Sequence, residues 1–256
     1  MSSALSTKKT FRDRAIVLRT QDLADYDRIL ILATPSSGLL HAVAQGIRKP
    51  SSKFGARLEP FMFVDFEAVR GRSLATISQV VTRRPFAADL ATDYGRYTLA
   101  LVMAEVTEQI LKHRQADSDQ EFSLLLGALG ALTEGRLSPY RVLDSFLLRM
   151  MHQAGWSMAI AACASDSDHG QGVFFSPQVG LICRACAQAG LYQKLSPLAA
   201  GSALYLSDLA LGRWERLGED LPLAFCQTWS DHIMDYVEWQ LERPLKARAI
   251  FEKETR

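Results

Sequence analysis

No stretch of eighteen apolar residues occurs in the 256-residue chain, so the sequence offers no membrane-spanning helix. Met1 to Lys9 is small and polar and lacks the apolar segment of a secretory signal, which leads to the expectation of a cytoplasmic protein with no membrane partner. Cysteine is scarce. Four residues are too few to staple a secreted fold, and in a reducing compartment clustered cysteines point to metal more than to disulfide. Enzyme signatures are missing too. There is no phosphate-binding P-loop, no G-x-S-x-G elbow and no His-Glu-x-x-His helix. The five histidines, His41, His113, His152, His169 and His232, are scattered. No enzyme is expected. Internal repeats and low-complexity linkers are also absent.

What is present is a chain of ordinary globular composition, 48% hydrophobic, with a formal net charge of only +1. That balance hides a split. Residues 1–84 hold 14 Lys or Arg against 7 Asp or Glu, a charge of +7, while the remainder holds 15 against 21, a charge of −6. A basic first third on an acidic remainder points to a polyanion site at one end, or else to a merely solvated basic face.

Residues 10–84 read as strands. Ala15–Thr20, Arg28–Thr34, Leu39–Gly46, Met62–Val69 and Ser73–Val81 are β-branched or alternating runs. Turn signals at Pro35-Ser36-Ser37-Gly38 and Arg70-Gly71-Arg72 separate them. Five short strands at this spacing predict a small closed barrel or sandwich. After Pro85 the apolar period becomes helical through Arg114. Ser118-x-x-Glu121 reads as a capping box, and Ser138-Pro139 as an N-cap with proline at the first helical position. That helix should stop at Gly155. An irregular cysteine-bearing stretch follows from Ala161 to Gly190, then helices at Ser196–Leu211 and Pro222–Leu241, the last ended by Pro244. The expected organisation is 1–84 barrel, 85–160 first helical part, 161–190 knuckle and 191–256 second helical part.

The segment Thr34–Phe61 concentrates Arg48, Lys49, Lys53 and Arg57 among serines and glycines, with Arg70 and Arg72 on the next hairpin. As a flexible loop on a barrel, it suits phosphate binding through cations and backbone N–H groups, with affinity that falls with salt. A solvated loop that confers solubility is the bland alternative. Phe54 lies within the basic loop and is the expected base-stacking residue. Phe61, Phe63 and Phe66 occupy strand positions better suited to a core.

Within this segment Thr34, Gly38, Ala44, Gly46, Arg48, Ser52, Gly55, Leu58, Pro60 and Phe61 form a pattern that closely resembles the N-terminal signature of RecO proteins. The opening Ala15–Leu30, with its Asp27-Arg28 pair, and the phrase Phe146 to Gly155 resemble the same family. The resemblance implies an α+β multidomain protein: an N-terminal OB-fold β-barrel, then a mostly α-helical domain with a zinc-knuckle-like insertion. It implies a bacterial, nucleoid-associated repair mediator that binds single- and double-stranded DNA and anneals complementary strands. Together with RecR, such a protein helps load RecA onto DNA coated by single-strand-binding protein, whose acidic C-terminal tail it contacts.

Many relatives carry C-x2-C-x(15–20)-C-x2-C at the cysteine stretch. Here Cys183-x-x-Cys186 and Cys163 are present, but Asp166 stands at the second cysteine's place, with sixteen residues between it and Cys183. Asp166 or His169 would be the fourth ligand of one structural Zn²⁺; a metal-free loop of buried thiols is the alternative. Cys226 reads as a core thiol. Trp229 and Trp239 share one helix and suit core packing or a docking face. Arg141 and Arg149 flank an apolar helix face and are candidate edges of a pocket for the acidic tail. An OB-fold or zinc-ribbon adaptor for RNA or transcription, and a scaffold that binds no nucleic acid, are the competing functions.

Overall fold

The computed structural model describes residues 9–114, 117–166, 170–216 and 221–252. They form two compact units: residues up to Tyr97 with Ala104–Thr133, and Thr98–Met103 with the chain from Glu134 onward.

The first unit is built on five strands: β1 (Thr10–Leu23), β2 (Asp27–Thr34), β3 (Gly38–Ala44), β4 (Met62–Val69) and β5 (Ala75–Pro85). They close into a barrel in the order β1-β2-β3-β5-β4. β1 pairs antiparallel with both β2 and β4, and β3 meets β5 in a short parallel pairing. Alternation explains the inside. Along β4, Met62, Val64, Phe66 and Ala68 are buried and the residues between them are not. Ala15, Val17, Leu30, Leu32, Ala42, Ala44 and Ile77 complete the interior from the other strands. Ala15, Ile16, Val17 and Leu18 are buried on both faces of β1, just where a register shift between Val17 and Arg19 bends the strand.

α1 (Phe86–Leu90), α2 (Tyr94–Leu111) and α3 (Asp119–Glu134) follow. Asp93 caps α2 through the Arg96 N–H. The expected capping box at α3 does not form. Among the described residues the buried Ser118 hydroxyl finds no hydrogen-bond partner, and Glu121 is drawn to Arg114 at 2.9 Å. The Ser118 main chain instead bonds Pro35 and Phe122. Arg19 grips the buried Glu108 with Nε at 2.6 Å and Nη2 at 2.9 Å, and Lys112 adds a contact at 3.2 Å. Burial alone would raise the Glu108 pKa, but these two cations outweigh it and hold the carboxyl below its ordinary value.

The second unit packs α4 (Pro139–Gln153) against α6 (Ser202–Leu211) and α7 (Leu223–Gln240). Proline opens α4 as expected, and the helix ends before Gly155, which takes φ +87°. Its buried residues run from Arg141 to Met151, broken by the exposed Arg149. Cys226 and Trp229 are buried in α7. Beyond Pro244 a further short helix, α8 (Lys246–Glu252), was not expected, because the proline reads as a stop. Between α4 and α6 lies a small sheet of β6 (Phe174–Ser176), β7 (Gly180–Ile182) and β8 (Ser196–Pro197), with the short helix α5 (Arg184–Gln188) after β7.

Candidate nucleic-acid interface and metal centre

The segment between β3 and β4 is not the open loop that its glycines and serines suggest. Ile47, Phe54 and Leu58 all enter the barrel core, and residues Gly55–Leu58 form a 3-10 turn. Each large apolar residue brought out of water stabilises the fold by about 1.5–3 kcal/mol. Three such anchors tie the segment down. Their spacing turns the intervening cations outward, so that Arg48, Lys49, Lys53 and Arg57 are all exposed. The Lys53 ammonium donates to the Ser78 carbonyl at 2.9 Å, and Arg57 Nη1 donates to the Lys53 carbonyl at 2.9 Å. These bonds steady the two side chains above β5.

Phe54 is corrected by this geometry. It is 2% exposed, one of the three anchors, and cannot stack on a base. Its own cation neighbour, the Lys53 ammonium 5.1 Å from the ring centroid, lies on the outside. Phe61 and Phe66 are core residues, and Phe63 is partly buried against Phe122.

The first part of the segment docks on the turn between β1 and β2. Gly46 N–H donates to Asp27 Oδ1 at 2.7 Å, and Arg48 N–H donates to the Tyr26 carbonyl at 3.0 Å. The Arg48 guanidinium meets Asp22 at 3.2 Å, and Lys49 lies over the Tyr26 ring at 5.4 Å. Arg70 and Arg72 are exposed on the β4–β5 hairpin, with the Arg70 guanidinium 4.9 Å from the Phe11 ring. That hairpin adjoins the start of β1, since Thr10 pairs with Val69, whereas Arg48 and Lys49 adjoin its far end. Arg48 and Lys49 therefore lie at one end of β1 and Arg70 and Arg72 near the other, while Lys53 and Arg57 lie by Ser78 of β5. Tyr26, half exposed beneath Lys49, was not singled out from the sequence. Its signal is an aromatic residue inside the charged turn Asp25-Tyr26-Asp27-Arg28, where nothing apolar calls for burial.

In the second unit the β6–β7 hairpin brings Cys163, Cys183 and Cys186 together, all buried, with their sulfurs within 4.8 Å of one another. Gly180 makes the approach possible. It has φ +96°, and a Cβ there would lie 2.4 Å from the Ala159 carbonyl oxygen. The Cys163 and Cys186 sulfurs are 3.7 Å apart. Thiolates at about 2.3 Å around a tetrahedral zinc are separated by roughly 3.8 Å, so the three donors fit that ion. Burial pushes the Cys163 thiol up. The backbone N–H groups of Cys183, Asp166 and Ser165 and the Cys186 thiol together outweigh burial and draw it down to about 6. Such N–H donors are what a metal thiolate uses around it. Asp166 is exposed and enters through its main chain; its carboxylate is not among the gathered ligand atoms. His169 lies outside the described residues.

Arg141 requires a second correction. It is 7% exposed, part of the buried stripe of α4, and offers no accessible edge to a peptide. Arg149 is exposed, between buried Leu148 and Met150. A cleft of about 610 Å³ elsewhere in the unit is lined by Gln178, Lys194, Glu238, Trp239, Glu242 and Arg243 and includes neither arginine. Trp239 is 51% exposed there, unlike its helix partner Trp229.

Comparison with known proteins finds two family models along the chain. Residues 8–86 match the family model described as recombination protein O N terminal, and residues 91–249 match the one described as recombination protein O C terminal. A DNA repair protein RecO from Nocardioides sp. is 38% identical over 247 residues, covering 95% of this chain and 99% of that protein.

Proposed function

The chain belongs to the RecO family of DNA repair proteins, and from that membership we propose that it is a non-enzymatic recombination mediator that binds single- and double-stranded DNA and anneals complementary strands. The observation that carries the reading is the set of exposed cations held outward by the Ile47, Phe54 and Leu58 anchors. We read the barrel as an OB-fold, supported by its closed β1-β2-β3-β5-β4 order. Residues 1–84 are then the DNA-binding domain, 85–160 and 191–256 the two parts of a helical domain, and 161–190 the knuckle.

Arg48, Lys49, Lys53 and Arg57, with Arg70 and Arg72 on the second hairpin, meet phosphate oxygens and release counterions. Contacts of this kind carry no base information, so sequence specificity is low. Neutralising two strands on one surface removes their repulsion and leaves base pairing to select the partner. RecR, the acidic tail of single-strand-binding protein and, through them, RecA are the expected partners, in a bacterial cytoplasm at the nucleoid. Arg149 remains the candidate tail contact.

Cys163, Cys183 and Cys186 would hold one structural Zn²⁺, with Asp166 or His169 as the fourth ligand. The ion would cross-link the hairpin to the chain before it. No helix of the described residues is long and apolar enough to cross a membrane.

The test is the annealing of two complementary, fluorescently paired oligonucleotides coated with single-strand-binding protein. The wild type should raise the annealing rate at least tenfold over coated strands alone. A rate no higher than without the protein rejects the annealing role.

A further inference from the structure

The turn between β1 and β2 is tight. Ala24 takes φ +52°, a conformation unusual for alanine, and the chain reverses over Ala24, Asp25 and Tyr26. This reversal leaves the Tyr26 side chain 50% exposed at the tip of the hairpin, beside Leu23, which is 36% exposed. Two bonds lock the tip to the cationic segment: Gly46 N–H to Asp27 Oδ1 and Arg48 N–H to the Tyr26 carbonyl. The ring thus has a fixed backbone under it, the Lys49 ammonium 5.4 Å from its centroid, and the Arg48 guanidinium on the same turn. Acidic groups are there too. Asp22 holds both Arg28 and Arg48, Asp27 accepts from Gly46, and Asp25 is exposed.

An exposed aromatic ring beside a lysine that can turn to a phosphate is an arrangement single-strand grooves use. Cations track the backbone, and the ring takes the face of an unpaired base. A duplex hides its base faces and offers such a ring nothing. Resting on the DNA-binding reading above, we infer that Tyr26 is a base-stacking residue that takes the face of an unpaired base at this surface. The ring face and Lys49 then act together. The ammonium leaves its place over the ring for a phosphate as the base arrives.

The probe is a labelled oligothymidylate, compared with an oligomer of the same length and phosphate count whose sugars carry no bases. Wild type should bind the thymidine oligomer about tenfold more tightly than the abasic one. Tyr26→Ala should bring the thymidine affinity down to the abasic level while leaving abasic binding unchanged, and Tyr26→Trp should keep the preference. Tyr26→Ala removes an exposed side chain and leaves the carbonyl that Arg48 uses, so its circular dichroism should match wild type. Equal wild-type affinity for the two oligomers, or an unchanged preference in Tyr26→Ala, overturns the stacking role and leaves phosphate binding intact. Failure of wild type to bind either oligomer overturns the DNA reading, and the stacking role with it.

Discussion

Asp144 is fully buried where α4, α6 and α7 meet, accepting from Ser230 Oγ at 2.6 Å and Tyr205 Oη at 3.1 Å. Burial pushes its pKa up to about 8, against the pull of those two hydroxyls and with a smaller push from Asp231. An unfolded chain would release this proton near pH 3.8, so the folded state holds it more tightly. The stability it contributes is complete below about pH 4 and is lost as pH rises toward 8. Denaturant titrations at pH 5, 6, 7 and 8 should show this slope in wild type, up to ~1.4 kcal/mol per pH unit, and a flatter profile in Asp144→Asn. Equal slopes in the two proteins would place the proton elsewhere. Gly180 makes a second residue-scale prediction. Gly180→Ala meets both a positive φ and the Ala159 carbonyl, and should destabilise the second unit by about 2 kcal/mol or more in the same titration. Single residues also mark the limit of the sequence. Phe54 and Tyr26 are each an aromatic amid charges. Only the three-dimensional spacing of Ile47, Phe54 and Leu58 decides that one goes in and the other stays out.

Elements were legible where their signal is local. β4 reads directly from alternation, and α4 from its proline start and glycine stop. The parts that were not legible depend on partners far along the chain. β1 runs longer than its apolar core because β2 and β4 pair with its two ends. The α3 cap fails because Glu121 has a stronger partner in Arg114. The cysteine hairpin lies between these cases, with its three thiols readable from spacing and their burial not. For this element, purified protein should carry about one zinc per chain by metal analysis, and Cys183→Ser should carry much less. His169→Ala and Asp166→Ala, compared by metal content, identify the fourth ligand as whichever variant loses the ion. Full zinc content in Cys183→Ser would exclude the thiol group as the site.

For the whole molecule, the asymmetry of charge between residues 1–84 and the rest was readable from the sequence, and so was the family pattern over Thr34–Phe61. How that charge is displayed was not. Two first-unit arginines pair with acids beyond residue 84 that the +7 does not count, Arg19 with Glu108 and Arg14 with Asp119. The surface left for a polyanion is therefore smaller than the net +7 implies, and centres on the segment after β3. DNA binding by this chain rests most on that surface. The measurement that tests it most directly is fluorescence-anisotropy binding of labelled single-stranded DNA across a salt series, wild type against a folded Lys49→Glu, Lys53→Glu, Arg57→Glu variant. Wild-type affinity should fall steeply with salt, and the variant should lose about tenfold or more in affinity and much of the salt slope. A variant that binds as tightly and with the same slope would contradict this.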